Sequence, residues 1–199
     1  MLSKTDLRNA IAGKNRGISA TNEDRQVIAS IIARVEDLNP TPEPLSAPDL
    51  LAGDWRLLYT TSQELLGIDR FPLAQLGSIY QCIRLSQARI YNIAEIQSLP
   101  YCEGLVSVVA SFKPASENAE RRVNVQFTRG VVGFQRLLSY QSPAQYIEKL
   151  EATEKINAFQ GFDFSINSEQ QQGWLEITYL DKDMRIGRGN QGSLFVLTK

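Results

Sequence analysis

Four prolines between positions 40 and 48 divide this chain into two parts that obey different periodicities. Pro40, Pro42, Pro44 and Pro48 are half of the 8 prolines in its 199 residues. Proline fixes φ and carries no N–H, so the stretch from Asn39 to Pro48 can neither continue a helix nor sit in a central strand. It reads as an extended connector. Before it, apolar residues recur with a helical period. After it, short runs of strand-forming residues follow one another.

The helical part, residues 1–48 with the connector, holds two start signals. Ser3 and Asp6 have capping-box spacing, and Leu2 can reach Leu7 as a hydrophobic staple. Leu7, Ala10 and Ile11 share a face, and Gly13 is a stop. Lys14-Asn15-Arg16-Gly17 reads as a turn. Thr21 and Asp24 repeat the cap spacing, and Val27, Ile28, Ile31, Ile32, Val35 and Leu38 then form one apolar stripe. The stripe is expected to pack on the domain's own sheet, with a partner docking through the N-terminal helices as the alternative.

Residues 49–199 read as strands. Candidates run over 55–60, 79–85, 89–96, 105–112, 122–128, 131–137, 174–180 and 192–198, with a short piece at 184–186. Ser142-Pro143 with Gln145 starts one short helix through Leu150. Helices first and then many closely spaced strands predict a mainly β, α+β chain built on an antiparallel meander. Seven to nine strands are too many for a comfortable flat sheet of this length, and closure into a barrel removes the edges.

Composition excludes several chemistries. The chain has no His, which removes His-based triads, general bases and metal or haem ligands. Lys+Arg is 21 against 22 for Asp+Glu, a net charge of -1, so nothing general favours nucleic acid. The 2 Cys residues, Cys82 and Cys102, are too few for a four-ligand zinc site and read as buried or half-buried free thiols, with one disulfide as the alternative. The N-terminus lacks the pattern of a secretion or transit peptide, and no apolar run approaches the ~20 residues of a membrane-spanning helix. The expectation is that the protein stays where it is made, or that its targeting sequence is not shown.

Gly187-Arg188-Gly189-Asn190-Gln191-Gly192 matches G-x-G-x-x-G letter for letter. A dinucleotide site needs that loop between a strand and a helix; here a strand follows, so it reads as a hairpin with glycines at positive φ. Asp181-Lys182-Asp183 offers two carboxylates but too few oxygens for a Ca²⁺ loop, and reads as an Asp-formed turn. Arg185 and Arg188 are expected to pair with these or other acids. No catalytic or metal site emerges and no cofactor is implied; Glu95, Glu103 and Asp163 are the acids to inspect for an enzymatic pocket. The aromatic residues Trp55, Tyr59, Phe112, Phe127, Trp174, Tyr179 and Phe195 lie on expected strands. In a sandwich they are core; in a barrel the inward half lines an apolar pocket.

Several segments resemble, in order, the plastid lipid-associated protein family, also called fibrillins or plastoglobulins. They are Arg16-Gly17, Asn39-Pro40-Thr41-Pro42, the run from Leu51 to Thr61, and the run from Tyr179 to Gly189 continuing to Leu194-Phe195-Val196-Leu197. The resemblance implies a lipocalin-like barrel and association with thylakoid membranes or lipid bodies. Carotenoids, prenylquinones and other photosynthetic lipids are the implied ligands, and binding or structural roles the implied functions. It looks like a cyanobacterial member, cytoplasmic and peripheral to the thylakoid, where plant relatives occupy plastid stroma or plastoglobules. Gly53-Asp54-Trp55 resembles the lipocalin G-x-W word, which implies that Trp55 closes one barrel end under an Arg.

In a closed up-and-down barrel the last strand runs antiparallel to the first. The 181–183 turn then shares an end with Trp55, which makes Arg185 the expected cation–π partner and leaves Arg188 near the open end to meet a polar headgroup. The expected lining is Tyr59, Phe112, Val125, Phe127, Ile177, Tyr179 and Phe195. The function expected is a non-catalytic carrier or scaffold for a hydrophobic small molecule, peripheral to a membrane or lipid body. The alternatives are an assembly protein with a filled barrel and, third, a lipid-modifying enzyme. A one-residue register error turns every lining residue the other way.

Overall fold

The computed structural model describes residues 3–62, 75–167 and 172–199. Two capped helices open it. In α1 (Lys4–Ile11) and α2 (Asn22–Glu36) both capping boxes close as the sequence spacing demands, Ser3 with Asp6 and Thr21 with Asp24. The Leu2 half of the expected staple lies outside the described residues. The connector is more structured than an extended linker. It holds a 3₁₀ turn (Pro44–Ser46) and a short helix α3 (Pro48–Leu51), each with proline in its first turn, where the missing N–H costs nothing.

Nine strands follow among the described residues: β1 (Gly53–Thr60), β2 (Gln75–Arg84), β3 (Arg89–Gln97), β4 (Gly104–Pro114), β5 (Arg122–Phe134), β6 (Gly161–Ser165), β7 (Gln172–Leu180), β8 (Met184–Gly189) and β9 (Leu194–Thr198). Helix α4 (Pro143–Ala152) lies between β5 and β6, capped by Ser142, which accepts from the Gln145 N–H. All pairings are antiparallel, in the order β1-β2-β3-β4-β5-β7-β8-β9, and β9 returns to β1. The result is a closed eight-stranded barrel. The ninth strand, β6, pairs outside the ring with the second half of β5, from Arg129 to Gly133. The expected strand at 131–137 is therefore the end of one long β5, and β6 is an element the sequence pattern missed.

Both outer walls of the barrel are covered. Leu7, Ile11, Ile28, Ile31, Ile32 and Val35 of α1 and α2 pack on Tyr59, Tyr179, Met184, Ile186 and Val196. Val27 and Leu38, counted in the expected stripe, stay exposed. On the far wall, Tyr146, Ile147 and Leu150 of α4 cover Cys82, Tyr91, Ile93, Val109 and Val131. Each fully buried aliphatic residue contributes about 1.5–3 kcal/mol, so the helices are part of the barrel's stability. The α2 stripe is thus used internally, on the sheet.

Two of the sequence words now have local reasons. Gly17 (φ +109°) sits where a Cβ would lie 2.2 Å from the Thr60 carbonyl oxygen, because the Thr60 N–H donates to the Arg16 carbonyl. Only glycine lets that turn dock on the end of β1. Asn39 Oδ1 accepts from the Thr41 and Leu180 N–H groups, which ties the connector to the end of β7.

Candidate functional site

The barrel has a plugged end and a rim. At the plugged end Trp55 is fully buried, and its indole N–H donates to the Leu51 carbonyl at 2.8 Å. Leu45, Ala47, Leu50 and Leu51 of the connector pack against Leu57, Ile83, Ile90, Leu180 and Leu197. The proline-rich segment therefore plugs the barrel. Arg185 reaches inward from β8, its guanidinium carbon 5.2 Å from the Trp55 ring centroid, as the strand-direction argument expects. Lys199 Nζ adds a second cation 4.7 Å from the same centroid.

Arg185 was expected to pair with an acid, and among the described residues it forms no ion pair. It is 1% exposed. One terminal nitrogen, NH2, donates to Gln81 Oε1, and the other, NH1, is buried without a partner. Burial pushes its pKa down to about 9, still charged near neutral pH. Gln81 in turn donates to Asn92 Oδ1 at 3.0 Å. A polar ladder, Arg185–Gln81–Asn92, thus runs from β8 across to β3 on the inner face.

Above that floor the inner wall is uneven. Register places Val106, Val108, Ala110, Phe112, Val125 and Phe127 on the inner face of β4 and β5, paired back to Ala94, Asn92 and Ile90. Of these six only Ala110 is fully buried. An inward side chain of a closed barrel keeps accessible surface only where it borders unfilled interior or the rim. The β4–β5 side therefore borders unfilled interior or the rim, while Trp55, Leu57, Ile79, Ile83 and Leu197 opposite are packed tight.

The expected lining residues separate into two groups. Phe112, Val125, Ile177 and Phe195 share the interior cluster with Trp55, and Phe127 follows Val125 on the same face. Tyr59 and Tyr179 stand on the outer face under α1 and α2. The cause is a β-bulge in each strand, after Leu57 in β1 and after Ile177 in β7, which reverses the alternation. Arg188 also points outward, where its Nε and NH2 donate to Glu36 at 3.0 and 2.6 Å.

The glycine motif is a packing device. Cβ atoms at Gly187 and Gly189 would lie 3.2 Å from Leu175 and 3.1 Å from the Phe195 ring; only Gly192 of the three has positive φ, +71°. Asp181 does form the turn, its Oδ1 accepting from the Asp183 and Met184 N–H groups. Among the described residues no group of acids or thiols could hold a metal. Glu95, Glu103 and Asp163 do not converge: Glu95 accepts from the Tyr140 hydroxyl, Asp163 pairs with Arg129 at 2.7 Å, and Glu103 sits before β4. Both cysteines are free; Cys82 is buried, and Cys102 is exposed rather than half-buried.

The rim has a polar and an apolar side. Asn15, Arg16, Gln75, Ser78 and Gln97 line a polar groove of about 440 Å³. An apolar groove of about 430 Å³ lies by Ile96, Val132, Phe134, Leu137, Phe159 and Phe162. Val132 pairs with Val106 on one side and with Phe162 on the other, so this patch continues the inner face outward along β5 and β6. Phe159 is 90% exposed and Phe162 70%. Periodicity could not find this patch, because β6 is short and its Phe-Asp-Phe alternation sits in a polar stretch.

A closed antiparallel ring with a plugged base, a Trp-and-Arg floor and a half-buried apolar inner wall defines a lipocalin-like barrel. Comparison with known proteins carries the assignment further. Residues 1–198 match the PAP_fibrillin family, and the chain belongs to that family. It is 32% identical to the probable plastid-lipid-associated protein 2, chloroplastic, of Arabidopsis thaliana, an alignment covering 98% of this chain and 70% of that protein. It is 32% identical to plastid lipid-associated protein 1, chloroplastic, of Brassica campestris (98% and 66%) and 31% identical to plastoglobulin-1, chloroplastic, of Pisum sativum (98% and 60%). No solved structure gives a significant match. Among the described residues no helix is long and apolar enough to cross a membrane.

Proposed function

We propose that this protein is a non-catalytic carrier or scaffold for a hydrophobic lipid, held at the surface of a photosynthetic membrane or lipid body. One observation carries the reading: half-buried apolar side chains on the inner β4–β5 wall are continuous with an exposed apolar rim. Val108 and Val106 lead along β4 to Val132, Phe134 and Phe162. Such a path lets a lipid pass from a surface into the barrel without crossing water. Burial at about 25 cal/mol per Å² supplies the affinity. The relatives' names, plastid-lipid-associated protein and plastoglobulin, support the same class of partner. The tight packing of the plugged half favours a second reading, an assembly factor working through its exterior.

Native mass spectrometry with lipid extraction, on protein purified from a photosynthetic host, separates the two. A pigment, quinone or other lipid at near-unit stoichiometry supports the carrier. Lipid-free protein that ignores carotenoid, quinone and acyl-lipid panels overturns it in favour of the assembly factor.

A further inference from the structure

We infer that the apolar rim around Phe159 and Phe162 is the face that docks on a lipid bilayer, and that the bilayer it fits has uncharged headgroups. The inference rests on the membrane-surface part of the function proposed above, and names the face and the kind of lipid. Phe159 stands in the turn before β6 and is 90% exposed, and Phe162 at the start of β6 is 70% exposed. Phe134 and Leu137, which line the same groove, are exposed as well. The turn is built to hold this shape. Asn157 Oδ1 accepts from the Phe159 N–H at 3.0 Å, and the Asn157 carbonyl accepts from the Gln160 and Gly161 N–H groups at 2.8 and 3.2 Å. The turn also closes tightly on β5, since a Cβ on Gly133 would lie 2.8 Å from the Gln160 carbonyl oxygen.

The backbone, the side chains and the charge of this face select the same occupant. The N–H groups of Phe159, Gln160 and Gly161 are already bonded within the turn, so its tip enters an apolar phase without stripping them of partners. Among the described residues that line the groove, Gln160 alone has a polar side chain. A protein interface ordinarily carries roughly one hydrogen bond per 100–200 Å²; this face has almost nothing to offer one, and hydrocarbon asks for none. The segments flanking the patch carry Arg136 and Lys155 against Glu103 and Glu154. Cations and acids cancel there, so an anionic surface attracts the face no more than a neutral one. Tyr101, 74% exposed, lies 5.3 Å from the Arg136 guanidinium beside Leu137. That amphipathic pair suits the headgroup layer at the edge of an inserted patch.

The test is flotation of the full chain with vesicles of phosphatidylcholine and digalactosyldiacylglycerol, with and without phosphatidylglycerol, at low and high salt. The expected result is flotation on the neutral vesicles, changed less than about twofold by the anionic lipid or by salt. Phe159→Trp, at an exposed position, reads the insertion. Its added emission is expected to shift to the blue on the vesicles and to be quenched by lipids brominated high on the acyl chain, with the unaltered chain giving the background of Trp55 and Trp174. Flotation with that emission unchanged overturns the docking face and leaves the carrier standing. Flotation that requires phosphatidylglycerol and is lost in high salt overturns the uncharged surface. A blue shift that grows with protein concentration without vesicles, with a dimer in light scattering, assigns the patch to a second copy and overturns the inference. No flotation on any vesicle overturns it too, and a lipid extracted with the protein still upholds the carrier. Flotation and blue shift with no lipid extracted uphold the docking face and strike the carrier.

Discussion

Two apolar sheet surfaces of this molecule meet different fates. The outer wall of β1, β9, β8 and β7 carries Tyr59, Val196, Ile186 and Tyr179, and α1 and α2 bury all four. The extension of β5 with β6 carries Val132, Phe134, Phe162 and Phe164, and all four are exposed. Residue type does not separate them; a covering element does. Contiguous exposed apolar surface on a folded domain marks a place where something else docks. The chain covers its other outer wall as well, with α4, so the bare patch stands out against its own design.

The largest effect expected from that contrast is on stability. Ile32→Ala, under the covered wall, is expected to cost about 2–5 kcal/mol through lost burial and a cavity. Phe162→Ala, on the bare patch, is expected to stay within about 0.5 kcal/mol. Urea unfolding of the two variants checks this, and comparable losses would mean that the patch is covered in solution. A second effect concerns binding. Phe159→Ser with Phe162→Ser is expected to reduce association with galactolipid vesicles at least about tenfold, since each inserted Phe contributes about 1.5–3 kcal/mol. Co-sedimentation measures it; Ile28→Val, under the covered wall, is the control and leaves association unchanged.

The same contrast explains what was legible. Helix starts were, because a capping box is local: Ser3 with Asp6 and Thr21 with Asp24 each sit within four residues. Closure of the sheet was, because strand count and the absence of a helix between most strands leave few alternatives. The resemblance to the lipocalin G-x-W word implied an Arg over Trp55, and strand direction chose Arg185, which lies 5.2 Å from the ring centroid. Facing was not. A strand covered outside by helices and filled inside is apolar on both faces; in β3, Ile90 points in while Tyr91 points out, and both are buried. Alternation then carries no sign, and the bulges in β1 and β7 move Tyr59 and Tyr179 outward without any glycine or proline to announce it. That no acid among the described residues pairs with Arg185 was hidden for a different reason, since ion pairing joins strands far apart in sequence.

A pH effect distinguishes the covered wall from the rim. Lys4 Nζ lies 2.6 Å from Asp181 and 2.5 Å from Asp183, and Arg8 lies 2.8 Å from Asp183, so this clasp ties α1 to the β7–β8 turn. Burial pushes the Asp181 carboxyl up, but hydrogen bonds from Lys4 and the Tyr179 hydroxyl outweigh it and hold it below the usual range. A carboxyl whose folded pKa is depressed adds stability that is complete above its unfolded pKa and is lost as pH falls through the folded one. Acidification below about pH 4 is therefore expected to loosen α1. Asp181→Asn removes that part of the acid sensitivity. Amide hydrogen exchange in α1 reads the change, and α4, which the clasp does not touch, gives the baseline.

The smallest effect is a labelling ratio, and it tests the wall covered by α4 without perturbing it. Cys82 lies in that wall beneath α4, and burial pushes its thiol far above the ordinary value. Cys102 is exposed in the turn before β4. Only a thiolate alkylates at a useful rate, and only where reagent can reach it. Iodoacetamide at pH 8 is therefore expected to modify Cys102 in the native chain and Cys82 only on unfolding. Peptide mass spectrometry after a timed pulse reports both sites at once. Rapid native labelling of Cys82 would mean that the α4 cover opens on its own, and the β2–β5 wall would then belong with the bare patch.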